Sequence, residues 1–138
     1  MQASCSPRRN DGKPAAPTPL NWFEIPVRDM ARAQAFYEAL FQAPLRRERL
    51  GAYELAIFPH AQGQVGGWLI QGGEAPAPAN VGTVVYLAAR PTVEAALARA
   101  RRAGGQVAVP RVALPGQRGC IAQVFDPEGN RVGLHAAA

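Results

Sequence analysis

The carboxylate and imidazole groups that could do chemistry in this 138-residue chain lie mainly near the two ends of its apolar part. Glu24 interrupts the apolar run of residues 22–25, and His135 follows the last apolar run. A carboxylate among apolar neighbours is costly to bury unless it is paired or acts as a general base. Glu24 and His135 are therefore the candidate catalytic residues. The alternatives are an ion pair of Glu24 with an arginine such as Arg131, an exposed Glu24 on an edge strand, and a solvated His135.

Other metal-ligating or nucleophilic side chains are few. His60 lies in the turn of residues 59–63, where a solvated loop residue is expected, and Cys120 has no partner thiol nearby in sequence. Serine occurs only at positions 4 and 6, which excludes a serine nucleophile in the body of the chain. A catalytic metal needs about three protein ligands, and Glu24 and His135 supply two. We therefore expect no metal and no cofactor, with a rebuilt metal site as the alternative.

Wide aromatic side chains offer a different chemistry, the binding of a planar apolar molecule. Trp22, Tyr53 and Trp68 all lie in runs that are typical of strands. Rings on strands that line a cavity hold such ligands, although packing in the core is the alternative. Gly66 and Gly67 precede Trp68, and they either allow close strand approach or leave room for a ligand.

The elements that position these residues follow from hydrophobic periodicity. Residues 22–27 form a strand-like run, in which Pro26 indicates an edge or a strand end. Asp29 is typical of a helix N-cap, and apolar residues at three- and four-residue spacing predict a helix that ends before Pro44. Three strands follow, at about 44–49, 52–58 and 64–71. The first half therefore has the order β-α-β-β-β.

The second half repeats this order after a linker of residues 72–80 that is rich in Ala and Pro. Residues 83–87 form a strand, Thr92 caps a helix, and Gly104-Gly105 ends it. Further strands are predicted at 106–113, 119–125 and 131–135. A shift of 61 superimposes the second strand and helix on the first. The prediction is one α+β domain, residues 20–136, with tandem βαβββ modules at about 20–72 and 81–136 that pack around a shared cleft.

Two motifs at opposite ends of this duplication carry a family resemblance. The first is FEIPVRDM at residues 23–30, and the second is VFDPEGNRVGL at residues 124–134. Together they resemble the vicinal oxygen chelate superfamily, which includes glyoxalases, bleomycin-resistance proteins and extradiol dioxygenases. The resemblance implies that the paired modules form a half-barrel around a small-molecule cleft. It also implies a homodimer, because relatives commonly pair modules between chains.

The resemblance implies four positions for metal ligands, where metal-dependent members carry His or Glu. Those positions fall here on Trp22, Gly67, Thr83 and Gly133. Glycine has no side chain to ligate, and tryptophan and threonine are poor ligands for a divalent metal in this setting. The inherited metal site is therefore not expected in this chain.

The resulting hypothesis is a metal-free protein of the glyoxalase/bleomycin-resistance type that binds a planar or apolar ligand in the cleft between its modules. The residues expected to contact that ligand are the aromatic walls, the polar anchors and the threonine of the second module: Trp22, Glu24, Tyr53, Trp68, Thr83 and His135. One alternative is a metal-dependent glyoxalase-like lyase or a dioxygenase-like enzyme with displaced ligands. Another is an interaction module whose cavity is filled by its own side chains.

Composition limits the class of protein further. The chain is 48% hydrophobic and 18% charged, as in globular proteins, and residues 1–18, rich in proline, predict a disordered tail. Of the net charge of +5, this tail carries +2, and the basic runs lack interleaved aromatics, so no nucleic-acid partner is expected. No apolar run approaches the roughly twenty residues of a membrane span. Without a signal-like segment and with two cysteines, we expect a cytoplasmic protein.

Overall fold

The computed structural model of the protein describes residues 18–137, and these form ten elements in the predicted order. The first module contains β1 (Trp22–Pro26), α1 (Met30–Phe41), β2 (Arg46–Leu50), β3 (Tyr53–Ile57) and β4 (Gly66–Gly72). The second contains β5 (Tyr86–Ala88), α2 (Val93–Arg102), β6 (Gln106–Ala113), β7 (Cys120–Phe125) and β8 (Arg131–Ala136). The predicted tail lies outside the described residues except for Thr18, so its disorder stays a prediction. No helix in the described part is long and apolar enough to cross a membrane.

Each module contains one four-stranded mixed sheet, and the two sheets have the same topology. The strand order is β1-β4-β3-β2 in the first sheet and β5-β8-β7-β6 in the second. The pairs β1/β4 and β5/β8 are parallel, and the others are antiparallel. The α+β class with two tandem βαβββ modules is therefore confirmed. Pro26 ends β1, which is an edge strand as its proline predicts.

Local chemistry begins and ends the helices where the sequence predicts. The side chain of Asp29 accepts a hydrogen bond from Arg32 N at 3.1 Å, and Thr92 Oγ1 accepts one from Ala95 N at 3.1 Å. Both are N-caps that satisfy an otherwise unpaired backbone donor. Gly104 follows α2 with φ of +104°, a left-handed conformation that glycine adopts without strain.

One hydrophobic core joins the two modules. Its largest fully buried side chains come from α1 and β4 of the first module and from α2, β7 and β8 of the second: Phe36, Tyr37, Leu69, Val93, Val124 and Leu134. Helices α1 and α2 contact each other in this core. The prediction that neither half buries its apolar faces alone is therefore confirmed.

The first sheet also carries a smaller apolar cluster on the face turned away from α1, which we call the helix-free face. Leu55, Ile57 and Ile70 are buried there, with Tyr53 and Trp68 packed against them. Neighbours in sequence, such as Ala56 and Leu69, belong to the main core instead, because side chains alternate across a strand.

The predicted shift of 61 between the modules is wrong. Val27 N donates to Ile70 O at 2.9 Å, and Ala89 N donates to His135 O at 2.8 Å, so Val27 and Ala89 are equivalent and lie 62 residues apart. The N-caps Asp29 and Thr92 lie 63 apart, because the second connection is one residue longer. A shift of 61 would exchange the two faces of the strand.

Candidate functional site

The candidate site lies where the edge strands of the two sheets face each other. In the described part of the chain, β1 and β5 are each bonded to a neighbour on one side only. Residues of both strands line one cavity, and residues of β1 and of the segment just before β5 line a second one. We call the gap between β1 and β5 the seam. It is the place where the cleft between the modules is expected.

One cavity at the seam is large and mainly apolar. It has a volume of about 380 Å³, within the range of small-molecule sites. Phe23, Phe41 and Phe58 line it from the first module, and Tyr86 lines it from the second. Phe23 and Phe41 both contact Phe58, with ring centroids 5.3 and 5.7 Å apart. These walls are aromatic, as a pocket for a planar ligand requires; we call this the apolar cavity.

A second cavity at the seam, of about 200 Å³, has polar groups at its walls. Glu24, Thr83 and Arg131 are among its lining residues. Arg131 donates to Gln123 Oε1 at 2.9 Å and to Asn80 O at 3.1 Å. Within residues 18–137 it forms no ion pair with Glu24, so the predicted pairing of these two charges is not found.

Three of the predicted site residues, Trp22, Glu24 and Trp68, lie together on the helix-free face. Trp68 Nε1 donates to Glu24 Oε1 at 2.8 Å. The rings of Trp22 and Trp68 meet edge to face with centroids 5.1 Å apart, and His60 packs on Trp22 at 5.3 Å. The tryptophans thus contact each other, and neither is among the residues that line the two seam cavities.

The remaining predicted residues are more widely spaced. Tyr53 packs on the helix-free face, and its hydroxyl accepts from Glu74 N at 3.3 Å. His135 Nε2 donates to Arg118 O at 2.7 Å. It lies four residues along β8 from Arg131, a distance of about 13 Å at the rise of a strand. Glu24 shares its cavity with Arg131, so the structure does not bring Glu24 and His135 into one site.

The four positions implied for metal ligands do not fit a metal. Gly67 faces the helix side rather than the helix-free face, because a side chain there would overlap the ring of Phe23. A side chain at Gly133 would overlap the ring of Tyr86. With the strands aligned at 62, the residue equivalent to Trp22 is Val84 rather than Thr83. Among residues 18–137, no group of three or more His, Cys, Asp or Glu could hold a metal ion.

The turn of residues 126–130 is a buried polar network rather than a catalytic group. Tyr37 Oη donates to Asp126 Oδ2 at 2.5 Å, and Asp126 Oδ1 accepts from the backbone N of Glu128 and Asn130. Burial, followed by the nearby charge of Asp126, raises the pKa of Tyr37 well above its ordinary value. This network joins the core helix of the first module to the last turn of the second.

Glu128 and Asn130 extend this network to the seam. The Glu128 carboxylate accepts from the backbone N of Arg28 and Asp29 and from the Arg32 guanidinium at 2.6 Å. Asn130 Nδ2 donates to Pro26 O at 2.8 Å at the end of β1, and its Oδ1 accepts from Ala79 N in the linker. The family-like turn therefore fixes β1 and the start of α1 relative to the second module.

Several residues of the apolar cavity were missed in the sequence. Phe23 and Phe41 have the spacing of core residues, and Phe58 ends an apolar strand, so their patterns indicate packing alone. His60 is exposed in a loop, as expected, and it also lines the cavity. Tyr86 alternates with Leu87, which is buried, and this alternation is the one signal that could have placed Tyr86 on the opposite face.

Comparison with known proteins supports the fold. The sequence model described as Glyoxalase/Bleomycin resistance protein/Dioxygenase superfamily matches residues 19–134. Glyoxalase I from Zea mays is 21% identical, with a TM-score of 0.61 over 91% of this chain and 48% of that chain. A glyoxalase/bleomycin resistance protein from Albidiferax ferrireducens is 18% identical, with a TM-score of 0.62 over 86% of this chain and 99% of that chain. No curated protein sequence matches. The chain spans about half the length of the maize protein, and at these identities the likeness concerns the fold alone.

Proposed function

Because the chain belongs to the Glyoxalase/Bleomycin resistance protein/Dioxygenase superfamily, we propose that it binds a small planar or apolar molecule at the seam, without a metal ion. The observation that carries this proposal is the apolar cavity of about 380 Å³ with aromatic walls from both modules. Small-molecule sites are concave and mostly apolar, with a few polar groups that orient the ligand. His60, Gln64 and Arg90 are such groups in this cavity.

The predicted walls Trp22 and Trp68 have a supporting role in this proposal. Trp22 packs on His60, which lines the cavity, and Trp68 packs on Trp22. Glu24 and Thr83 line the smaller cavity at the same seam, where they would contact a ligand that extends beyond the apolar cavity. Tyr53 and His135 belong to neither cavity, so their contact with a ligand stays a prediction that the geometry does not favour.

A metal-dependent lyase or dioxygenase is the rival function, and the residue types at the seam speak against it. Rings of Phe23 and Tyr86 occupy the space that side chains at Gly67 and Gly133 would need. Metal analysis tests this rival directly. Protein purified without chelator should hold well under one equivalent of Zn, Ni, Mn or Fe. Stoichiometric metal that is lost in Glu24→Gln or His135→Ala would favour the enzyme.

A neutral fluorescent probe tests the binding function. N-phenyl-1-naphthylamine is planar, uncharged and fluorescent in apolar surroundings. We expect a saturable rise in its fluorescence with one probe per chain, together with a higher melting temperature, because a ligand that binds only the folded state stabilises it. Absence of both a saturable signal and a shift in melting temperature would overturn the proposal.

A matched pair of variants tests whether the probe binds in the apolar cavity. Ala88 is exposed on β5 and lines the apolar cavity, so Ala88→Phe should fill the cavity and weaken probe binding about tenfold or more. Ala113 is exposed on the edge strand β6 and lines neither seam cavity. Ala113→Phe makes the same change in a strand and should leave binding within about twofold of the wild-type value.

We also propose a homodimer and a cytoplasmic location, as the sequence indicates. The maize protein supports the dimer by its length, because two copies of this chain are together about as long as one chain of that protein. If no ligand binds and the seam closes through its own side chains, the chain would instead be an interaction module.

A further inference from the structure

The wall of the apolar cavity contains a charged side chain, that of Arg90. Among the described residues 18–137, those that line it include no aspartate or glutamate, and Arg90 is the one with a permanent charge. The Arg90 guanidinium lies over the ring of Phe41, with its Cζ 5.9 Å from the ring centroid. Within residues 18–137, Arg90 forms no ion pair. A cation at the rim of an aromatic pocket is therefore available to a ligand.

A second polar group of the cavity, the imidazole of His60, has a fixed orientation. Its Nδ1 lies 3.1 Å from Phe58 O, and a carbonyl oxygen only accepts, so Nδ1 carries the proton. The ring packs on Trp22, and Gly66 leaves room for it, since a Cβ at Gly66 would lie 2.7 Å from the imidazole. Nε2 is the remaining polar atom of His60, and it can form a hydrogen bond with a ligand.

We propose that the ligand is a planar apolar acid, whose ring system lies against Phe23 and Phe58 and whose carboxylate pairs with Arg90. This inference rests on the proposed function and adds the chemical class of the ligand. A guanidinium matches a carboxylate with two parallel hydrogen bonds, which a neutral amide cannot reproduce. An ammonium ligand is repelled by Arg90, and none of the described residues of the cavity wall has a carboxylate that would compensate it.

The experiment compares two ligands of one shape that differ in charge. 2-Naphthoate and 2-naphthamide are each titrated against bound N-phenyl-1-naphthylamine at about pH 7.5, where a carboxyl group is ionised. We expect 2-naphthoate to bind about fivefold more tightly or better, the scale of one charge-assisted hydrogen bond at a partly exposed site. Raising the salt concentration from about 50 to about 500 mM should reduce this preference, because exposed charges are screened.

Arg90→Gln is the decisive variant. It should abolish the preference for 2-naphthoate, because the carboxylate loses its charged partner, whereas a change in the contact with Phe41 affects both ligands alike. Arg101→Gln, at the far end of α2, removes the same charge away from the cavity and should retain the preference.

The outcomes separate this inference from the function on which it rests. If N-phenyl-1-naphthylamine itself does not bind, the proposed function fails, and the ligand class fails with it. If the probe binds but both naphthalene derivatives displace it equally, or if Arg90→Gln keeps the preference, the acid class is overturned while the binding function stands.

Discussion

Glu24 lies on the helix-free face of the first sheet, where its carboxylate accepts from the indole of Trp68. The sequence places it among apolar neighbours, and this suggests an expensive burial. It is exposed, because β1 is an edge strand whose alternate residues leave the core. Of the alternatives, an exposed position on an edge strand is therefore the one found for Glu24. Its carboxylate has a hydrogen-bond donor in Trp68 and needs no arginine partner.

The two tryptophans should report differently on ligand binding. Trp22 contacts His60 at the wall of the apolar cavity, whereas Trp68 contacts Trp22 and Glu24 on the side away from it. In Trp22→Phe, the quenching of tryptophan fluorescence by 2-naphthoate should fall to less than about half of its wild-type amplitude, and Trp68→Phe should retain most of it. A larger loss in Trp68→Phe would place the ligand on the helix-free face instead.

Tyr37 should make the fold sensitive to alkaline pH. Its pKa is raised in the folded state, first by burial and then by Asp126, while an unfolded tyrosine titrates near its ordinary value of about 10. The folded state thus keeps the proton longer. The stabilisation from neutral Tyr37 is complete below about pH 10 and is lost as the pH rises further, by at most about 1.4 kcal/mol per pH unit.

Tyr37→Phe tests this coupling through urea unfolding between about pH 7 and about pH 11. At neutral pH we expect a loss of about 1–2 kcal/mol in the free energy of unfolding, because the hydrogen bond to Asp126 is lost. In the alkaline range the variant should lose less stability than the wild type. Tyr86→Phe removes a hydroxyl at the surface and serves as the control. Parallel curves for wild type and Tyr37→Phe would contradict the coupling.

Among the elements, α1 shows how the modules depend on each other. Its first turn contains no acidic residue, and the carboxylate of its N-cap Asp29 is joined at the N-terminus by that of Glu128, which lies 100 residues after Arg28. By contrast, α2 has Glu94 in its own first turn. A negative charge at a helix N-terminus is stabilising, so the second module adds a buried carboxylate to the one that Asp29 supplies as N-cap.

Glu128→Gln should therefore destabilise the fold more than the loss of an exposed charge does. The Glu128 side chain is fully buried against Arg32, and we expect a loss of about 1–3 kcal/mol in the free energy of unfolding by urea. Glu94→Gln removes a carboxylate that is 63% exposed and pairs with Arg111, and it should cost less than about 1 kcal/mol. Equal losses in both variants would show that the buried carboxylate has no special role.

The elements themselves were predictable from local patterns, and their contacts across the seam were not. Asp29 and Thr92 are capping residues, and the apolar spacing that follows each one predicts α1 and α2 directly. Which residue of β5 corresponds to which residue of β1 depends on the connection from β5 to α2 through Arg90-Pro91. This connection is one residue longer than the one from β1 to α1. One residue is enough to exchange the faces of a strand: the predicted shift of 61 pointed to Thr83, the spacing of the N-caps would point to Val85, and the strand hydrogen bonds give Val84.

The same reasoning explains why the candidate site was predicted only in part. Phe23 and Phe41 have the spacing of core residues, and only the packing of two sheets leaves a cavity beside them. By contrast, the sequence alone shows that Trp22 and Gly133 cannot ligate a metal, because this depends only on the residue type. Arg90 carried no signal in the sequence, because its place at the cavity rim depends on how β5 lies against the first module.

At the scale of the whole molecule, the seam is held from one end by the second module's turn, through Asn130 and Pro26, and is open at the apolar cavity. Neither β1 nor β5 has a second strand beside it in the described part of the chain. Unpaired strand edges favour contact with another chain unless they are covered. The linker of residues 72–80 lies beside this seam, where two copies could exchange modules.

We therefore predict a homodimer in solution. Sedimentation at micromolar concentration should give twice the chain mass of 14.7 kDa.

Val81 follows the linker, lines the polar-walled cavity at the seam and is 81% exposed, so a second chain at the seam should bury it. Val81→Asp should then weaken the dimer about tenfold or more, because an unpaired carboxylate would be buried at the contact. Leu50→Asp makes a similar change at the outer edge, on β2, where the side chain is 58% exposed, and should leave the mass unchanged. A wild-type protein that sediments at 14.7 kDa would refute the dimer, and a monomer produced by Leu50→Asp alone would move the contact from the seam to β2.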